Sequence, residues 1–127
     1  MLAESLSKYL SNVEAAVRRL EFAYVERYEE ELVTPERVNL RIRMRFPTGH
    51  MLELNEAIFY EAGHVNHLAY RYHFQDRKTN LVFRYDNTPH FPDVNGFPHH
   101  KHLGDGVVGT SKPSIFQVID EAAKSLG

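Results

Sequence analysis

A chain of 127 residues that is 43% apolar and 25% charged has the size and composition of a folded domain with one core, and not those of a disordered segment. Its formal net charge of −2 gives no global signature of nucleic-acid binding, so an anion-binding surface has to come from local segregation of charge. The lack of cysteine excludes disulfides, thiolate zinc sites and a cysteine nucleophile, and no apolar run is long enough for a membrane helix.

Glu4 stands where a signal peptide would carry basic residues, and the chain is read as one cytoplasmic domain over 1–127. Leu2, Leu6, Leu10, Val13, Val17 and Leu20 recur at helical spacing and predict an N-terminal amphipathic helix laid on a sheet. From Arg19 to Val33, the residues Phe22, Tyr24, Val25 and Tyr28 favour a first strand, closed by a turn at Thr34-Pro35-Glu36.

Val38 to Phe46 carries the clearest alternation in the chain. Val38, Leu40, Ile42, Met44 and Phe46 form a buried face, and Asn39, Arg41, Arg43 and Arg45 form the opposite one. The arginines then stand about 7 Å apart, as a solvated face or as a stripe that tracks phosphates. Such a row repels itself unless acidic neighbours or a bound anion compensate it.

Pro47-Thr48-Gly49 turns the chain into a third strand over Met51 to Glu61, where Glu56 and Ala57 interrupt the pattern as a bulge would. After Ala62-Gly63, a fourth strand sets Leu68, Tyr70, Tyr72 and Phe74 against His67, Ala69, Arg71, His73 and Gln75. A hairpin loop at Asp76–Asn80 leads to a fifth strand with Leu81, Phe83 and Tyr85 on one face and Arg84 and Asp86 on the other.

Periodicity stops between Asn87 and Lys112, a loop of about 25 residues, longer than compact domains usually keep without a use for it. It holds His90, His99, His100 and His102. Gly104-Asp105-Gly106 within it is a turn and not a phosphate loop, since no Gly-Lys-Ser/Thr follows. Ser111-Lys112-Pro113-Ser114 predicts a helix start with Pro in its first turn, and Ile115, Ile119, Ala122 and Leu126 give that C-terminal helix its apolar stripe. The expected fold is therefore α+β: an N-terminal helix, an antiparallel meander of about five strands, a long His-rich loop and a C-terminal helix.

One sheet face meets the helices through the even-numbered apolar sets. The other collects Arg41, Arg43, Arg45, Arg71, His73, Arg84 and Asp86, with the histidine loop anchored beside it. Histidine titrates near neutral pH, so two of them can act as base and acid. Metal-free cleavage of RNA needs a group that takes the 2′-hydroxyl proton, one that protonates the leaving oxygen, and cations on the pentacoordinate phosphate. The catalytic candidates are His73, Arg71, Arg84, Asp86, His100 and His102, and the substrate-binding candidates are Arg41, Arg43, Arg45, His90, His99 and Lys101.

Other readings stand beside this one. The polar face is also what an exposed ladder of opposite charges would look like, and His90 and His99 also suit packing against loop carbonyls. In extended chain His100 and His102 point to one side, and His99 and Lys101 to the other. A metal-dependent phosphodiesterase would use imidazoles with Asp86, Asp93 or Asp105, but HHKH has no specific metal spacing, and neither metal nor cofactor is expected. A non-catalytic module docking a protein or nucleic acid is the further alternative.

The succession YRYHFQD, LVFRYDNTPHFP and FPHHKH, followed by a helix opened by Pro-Ser, resembles the TumE-like toxins of toxin–antitoxin modules. The likeness runs roughly from Leu68 to Val118, with weaker agreement upstream. It implies a cytoplasmic toxin acting on RNA as a ribonuclease, partnered by an antitoxin that often has a helix-turn-helix domain. The family pattern falls on Arg71, His73, Arg84, Asp86, Asn87, His90, His99, His100 and His102. The near-neutral net charge departs from the basic balance of many ribosome-dependent ribonuclease toxins, and the arginine row is the local answer to that. An exposed edge strand, the first, also offers pairing in a homodimer.

Overall fold

The computed structural model describes residues 2–89 and 97–126. Helix α1 (Glu4–Arg18) precedes strands β1 (Tyr24–Thr34), β2 (Arg37–Arg45), β3 (Met51–Glu61), β4 (His64–Gln75), β5 (Leu81–Asp86), β6 (His100–Leu103) and β7 (Gly106–Gly109), and helix α2 (Ile115–Ser125) follows. All seven strands form one open antiparallel sheet in chain order, as short reversals between neighbours require. The class is α+β.

Both helices lie on one sheet face. Leu6, Leu10, Val13, Ala16 and Val17 of α1, with Ile115, Val118, Ile119 and Ala122 of α2, close over the even-numbered residues of β2, β3 and β4. Helix α2 opens on Ser114, whose hydroxyl accepts from the Phe116 amide while the Gln117 side chain accepts from the Ser114 amide. Pro113 thus precedes the cap and does not occupy the first turn, because the Ser114–Gln117 box fixes where the helix begins.

Three further expectations change. The sheet has seven strands, not five, because the His-rich loop carries the hairpin β6–β7 turned by Gly104-Asp105. Its alternation is hard to see in sequence because Lys101 takes the helix-facing position: it lies over the rings of Phe83 and Tyr85 and pairs with Glu121 of α2 at 2.7 Å. The first strand starts at Tyr24, after a turn that follows α1. Finally, the bulge falls on β4. Ala57 faces Ala69 but Ile58 faces His67, so Leu68 is the extra residue. Leu68 is consequently exposed, and His67 turns toward the helices.

In β3, by contrast, alternation runs unbroken through Glu56, which occupies an inward position. Strand β1 is an outer edge, exposed along nearly all its length.

Candidate functional site

The face away from the helices is organised as two cross-strand rows. One runs Arg41, Asn55, Arg71, Asp86, His100; the next runs Arg43, Glu53, His73, Arg84, His102. Strand pairing alone therefore brings Arg71, His73, Arg84, Asp86, His100 and His102 together, with His100 and His102 delivered by the hairpin hidden in the loop.

Asp86 is the centre of the cluster and is buried. Its Oδ1 accepts from His100 Nε2 at 2.6 Å and from the Thr88 amide at 3.1 Å. Its Oδ2 lies 3.4 Å from His102 Nε2 and 3.5 Å from Arg84 Nε. His100 Nδ1 is 2.9 Å from the Pro98 carbonyl oxygen, so both its nitrogens face acceptors. The His100 side chain is only 3% exposed and serves to hold Asp86, whereas that of His102 is 17% exposed. The two imidazoles meet edge to face with centroids 4.8 Å apart.

Burial holds the His102 imidazole below the ordinary histidine range, the Arg84 charge adds to this, and Asp86 opposes it. His73 bonds the Gln75 amide oxygen through Nε2 at 2.9 Å, and its Nδ1 is buried with no partner among the described residues. Arg84 sits between these two histidines in the row. Strand spacing separates them by about 10 Å.

The remaining candidates divide. Arg41, Arg43 and Arg45 share the face but are engaged with acids: Arg41 with Glu29 and Glu31, Arg43 with Glu53 at 2.7 Å, and Arg45 with Glu26 at 3.2 Å. Acidic neighbours on β1 and β3 thus supply the compensation, and the arginines form a charge ladder. Arg71 is different, having neither an ion pair nor a side-chain hydrogen bond among the described residues.

Lys101 and His99 lie on the helix-facing side. His99 stacks on Tyr70 with its Nδ1 2.8 Å from the phenolic oxygen, and burial, with the Lys112 charge next, lowers its proton affinity. His90 and Asp93 lie outside the described residues. Asn87 supports the backbone: its side chain accepts from the Tyr70 amide and donates to the Leu68 carbonyl, which holds β4 where the bulge disturbs it.

A second carboxylate–histidine centre, outside the candidates read from the sequence, lies on the helix side. Glu56 accepts from Tyr9 at 2.7 Å, from Tyr72, and from His67 Nε2 at 2.8 Å. Burial, then the charge of Glu56, drives both phenols well above the ordinary tyrosine range, so they stay protonated donors. The signal was the even number of Glu56, which places it in line with Leu52, Leu54 and Ile58.

Asp86, His100 and His102 also offer one ligand atom each within a span of 4.8 Å, a grouping that a divalent cation could use. The Pro98 carbonyl behind His100 is the kind of outer support that orients a ligating imidazole. The 2.6 Å Asp86–His100 contact is a direct hydrogen bond, so a cation would have to part these two groups.

A sequence model of the family described as Toxin TumE matches residues 13–126. The chain belongs to the TumE toxin family. The match covers both helices in whole or part, all seven strands and the Asp86 cluster. Comparison with curated proteins and with solved structures yields no match. The chain is thus the toxin of a toxin–antitoxin module, and its family implies an antitoxin partner. No helix among the described residues is long and apolar enough to cross a membrane.

Proposed function

We propose that this toxin acts on RNA as a ribonuclease that needs no metal. The observation that carries the reading is the cross-strand row His73–Arg84–His102, a cation flanked by an imidazole on each side on an open sheet face. A phosphodiester seated over Arg84 meets a proton acceptor on one side and a proton donor on the other, which in-line displacement requires.

His102, oriented by Asp86, takes the 2′-hydroxyl proton; the 2′ oxygen attacks the adjacent phosphorus, and the P–O5′ bond breaks. His73, released from Gln75, gives its proton to the departing 5′ oxygen. The products are a 2′,3′-cyclic phosphate and a 5′-hydroxyl. Arg84 carries the charge that builds on the phosphorane, and Arg71, which has no ion pair among the described residues, adds a cation in the adjoining row. Asp86 and His100 are positioning residues, since neither is exposed enough to touch substrate. An antitoxin with a helix-turn-helix domain is the partner we infer for the module, and the cytoplasm is the compartment where RNA is met.

The test is cleavage of purified RNA with analysis of the ends formed. The native chain yields 2′,3′-cyclic phosphate ends, and His73→Ala and His102→Ala each lower the rate by about 100-fold or more with the fold intact by circular dichroism. Undiminished cleavage or growth arrest after both replacements overturns the proposal and leaves a docking module. The grouping of Asp86, His100 and His102 favours one second reading, a metal-dependent phosphodiesterase. Loss of cleavage in chelator, restored by a divalent transition metal, would select it.

A further inference from the structure

Beside the Asp86 cluster the sheet has a hollow of about 300 Å³, at the lower end of small-ligand sites. Its floor is the cross-strand pair Ala57–Ala69, where two methyl groups replace the long side chains of the adjoining rows. Asn39, Arg41, Asn55 and Arg71 stand around it.

Two of these groups are uncommitted. Arg71 has no acid, and the Asn55 amide makes no side-chain hydrogen bond among the described residues. The carboxylate across from Arg71 is Asp86, already held by His100, His102 and Arg84. Glu56 lines the hollow only from beneath, because its carboxylate is on the other face with Tyr9, Tyr72 and His67. The hollow therefore presents the guanidinium of Arg71, that of Arg41 on its far side, paired outward with Glu29 and Glu31, and an amide with no side-chain partner among the described residues, with no carboxylate of its own facing in. Such a surface suits an anionic ligand that also carries a planar hydrogen-bonding edge.

We infer that this hollow is a nucleoside subsite for single-stranded RNA, in which one unstacked base rests on Ala57 and Ala69, Asn55 bonds its edge, and Arg71 holds the phosphate between it and the His73–Arg84–His102 row. The inference rests on the ribonuclease reading for the direction in which the strand runs. Ala69 and His73 are four residues apart on β4, which is about 13 Å along the strand. A short extended stretch of RNA covers that distance with Arg71 midway. A base can enter the hollow only when splayed out of its stack, so duplex RNA is refused.

The experiment measures fluorescence-anisotropy titration of labelled single-stranded and duplex RNA decamers, using the chain with His73→Ala and His102→Ala so that no cleavage occurs. Into this background go Ala69→Trp, which fills the hollow from an exposed position, and Asn55→Asp, which is isosteric and sets a carboxylate between the two arginines. Both are expected to weaken single-strand binding at least tenfold and to shift any weak duplex binding less than twofold.

Unchanged binding in Asn55→Asp, or a duplex bound as tightly as a single strand, overturns the subsite. The ribonuclease reading is judged separately, by the ends formed with the unmodified chain. Absent cleavage with a tenfold binding loss sinks that reading and keeps the hollow as an RNA site; cleavage with unaltered binding does the reverse.

Discussion

Glu56 and Asp86 are both buried carboxylates bonded to histidine, one on each face of the same sheet, and their partners differ in kind. Glu56 is gripped by two phenols and an imidazole beneath the helices, and the phenols are held far from ionising. Asp86 is surrounded by His100, His102 and Arg84, groups that carry or exchange charge, on the face without helices. A carboxylate held between helix and sheet by two phenols that stay protonated, with one imidazole beside them, fixes how layers pack. One surrounded by imidazoles and a guanidinium orients groups that can move protons. On the proposed function, the first centre serves stability and the second serves chemistry.

The largest effect tests the stability half. Glu56→Ala strands the buried Tyr72 phenol and the part-buried donors of Tyr9 and His67, at a cost of about 3 kcal/mol or more. Urea denaturation should show it as a lowered midpoint, while cleavage per folded molecule stays as in the native chain. A rate loss without a stability loss would abolish the distinction between the two centres.

Asp86→Asn is the converse. It keeps the shape but removes the charge that orients His102, and RNA cleavage is expected to fall by about two orders of magnitude or more. The stability change should be smaller than that of Glu56→Ala in the same denaturation assay. If Asp86→Asn unfolds the chain and cleaves normally where folded, the polar face is only a charge ladder.

How far these centres could be read in advance depended on where strand parity survived. β2 through β5 were legible because alternation places Arg71, His73, Arg84 and Asp86 on one face whatever the exact bounds. Glu56 obeyed the same parity but carried the wrong polarity, so it looked like an interruption. His67 broke parity, because the extra residue Leu68 turns it over, and a bulge of one residue leaves no mark in composition. The hairpin β6–β7 stayed hidden for a further reason. Lys101 fills its inward position, and burying a lysine makes sense only once Glu121 of α2 and the Phe83 and Tyr85 rings are brought near by the fold.

Within the Asp86 centre, His100 and His102 sharpen the assignment. His102→Ala removes the more exposed ring and should cost rate, about 100-fold, with little change in the unfolding midpoint. His100→Gln disturbs a ring bonded at both nitrogens inside the fold and should cost about 1–3 kcal/mol of stability. Equal effects of both changes on both readouts would show that the two rings act as one unit.

The smallest effect comes from Lys101, which lies in the same short strand as those histidines but on the other face. Its ammonium keeps its proton despite burial because Glu121 and Tyr85 outweigh the loss of solvent. The ion pair is only partly shielded and the ring contact is modest, so Lys101→Met should lower stability by about 1 kcal/mol or less. RNA cleavage and single-strand binding should not change. A cation that contacted substrate would instead show a shallower salt dependence of RNA binding when removed, since one fewer phosphate would be neutralised. Titration of RNA binding against salt, native beside Lys101→Met, therefore decides which face of β6 meets the nucleic acid.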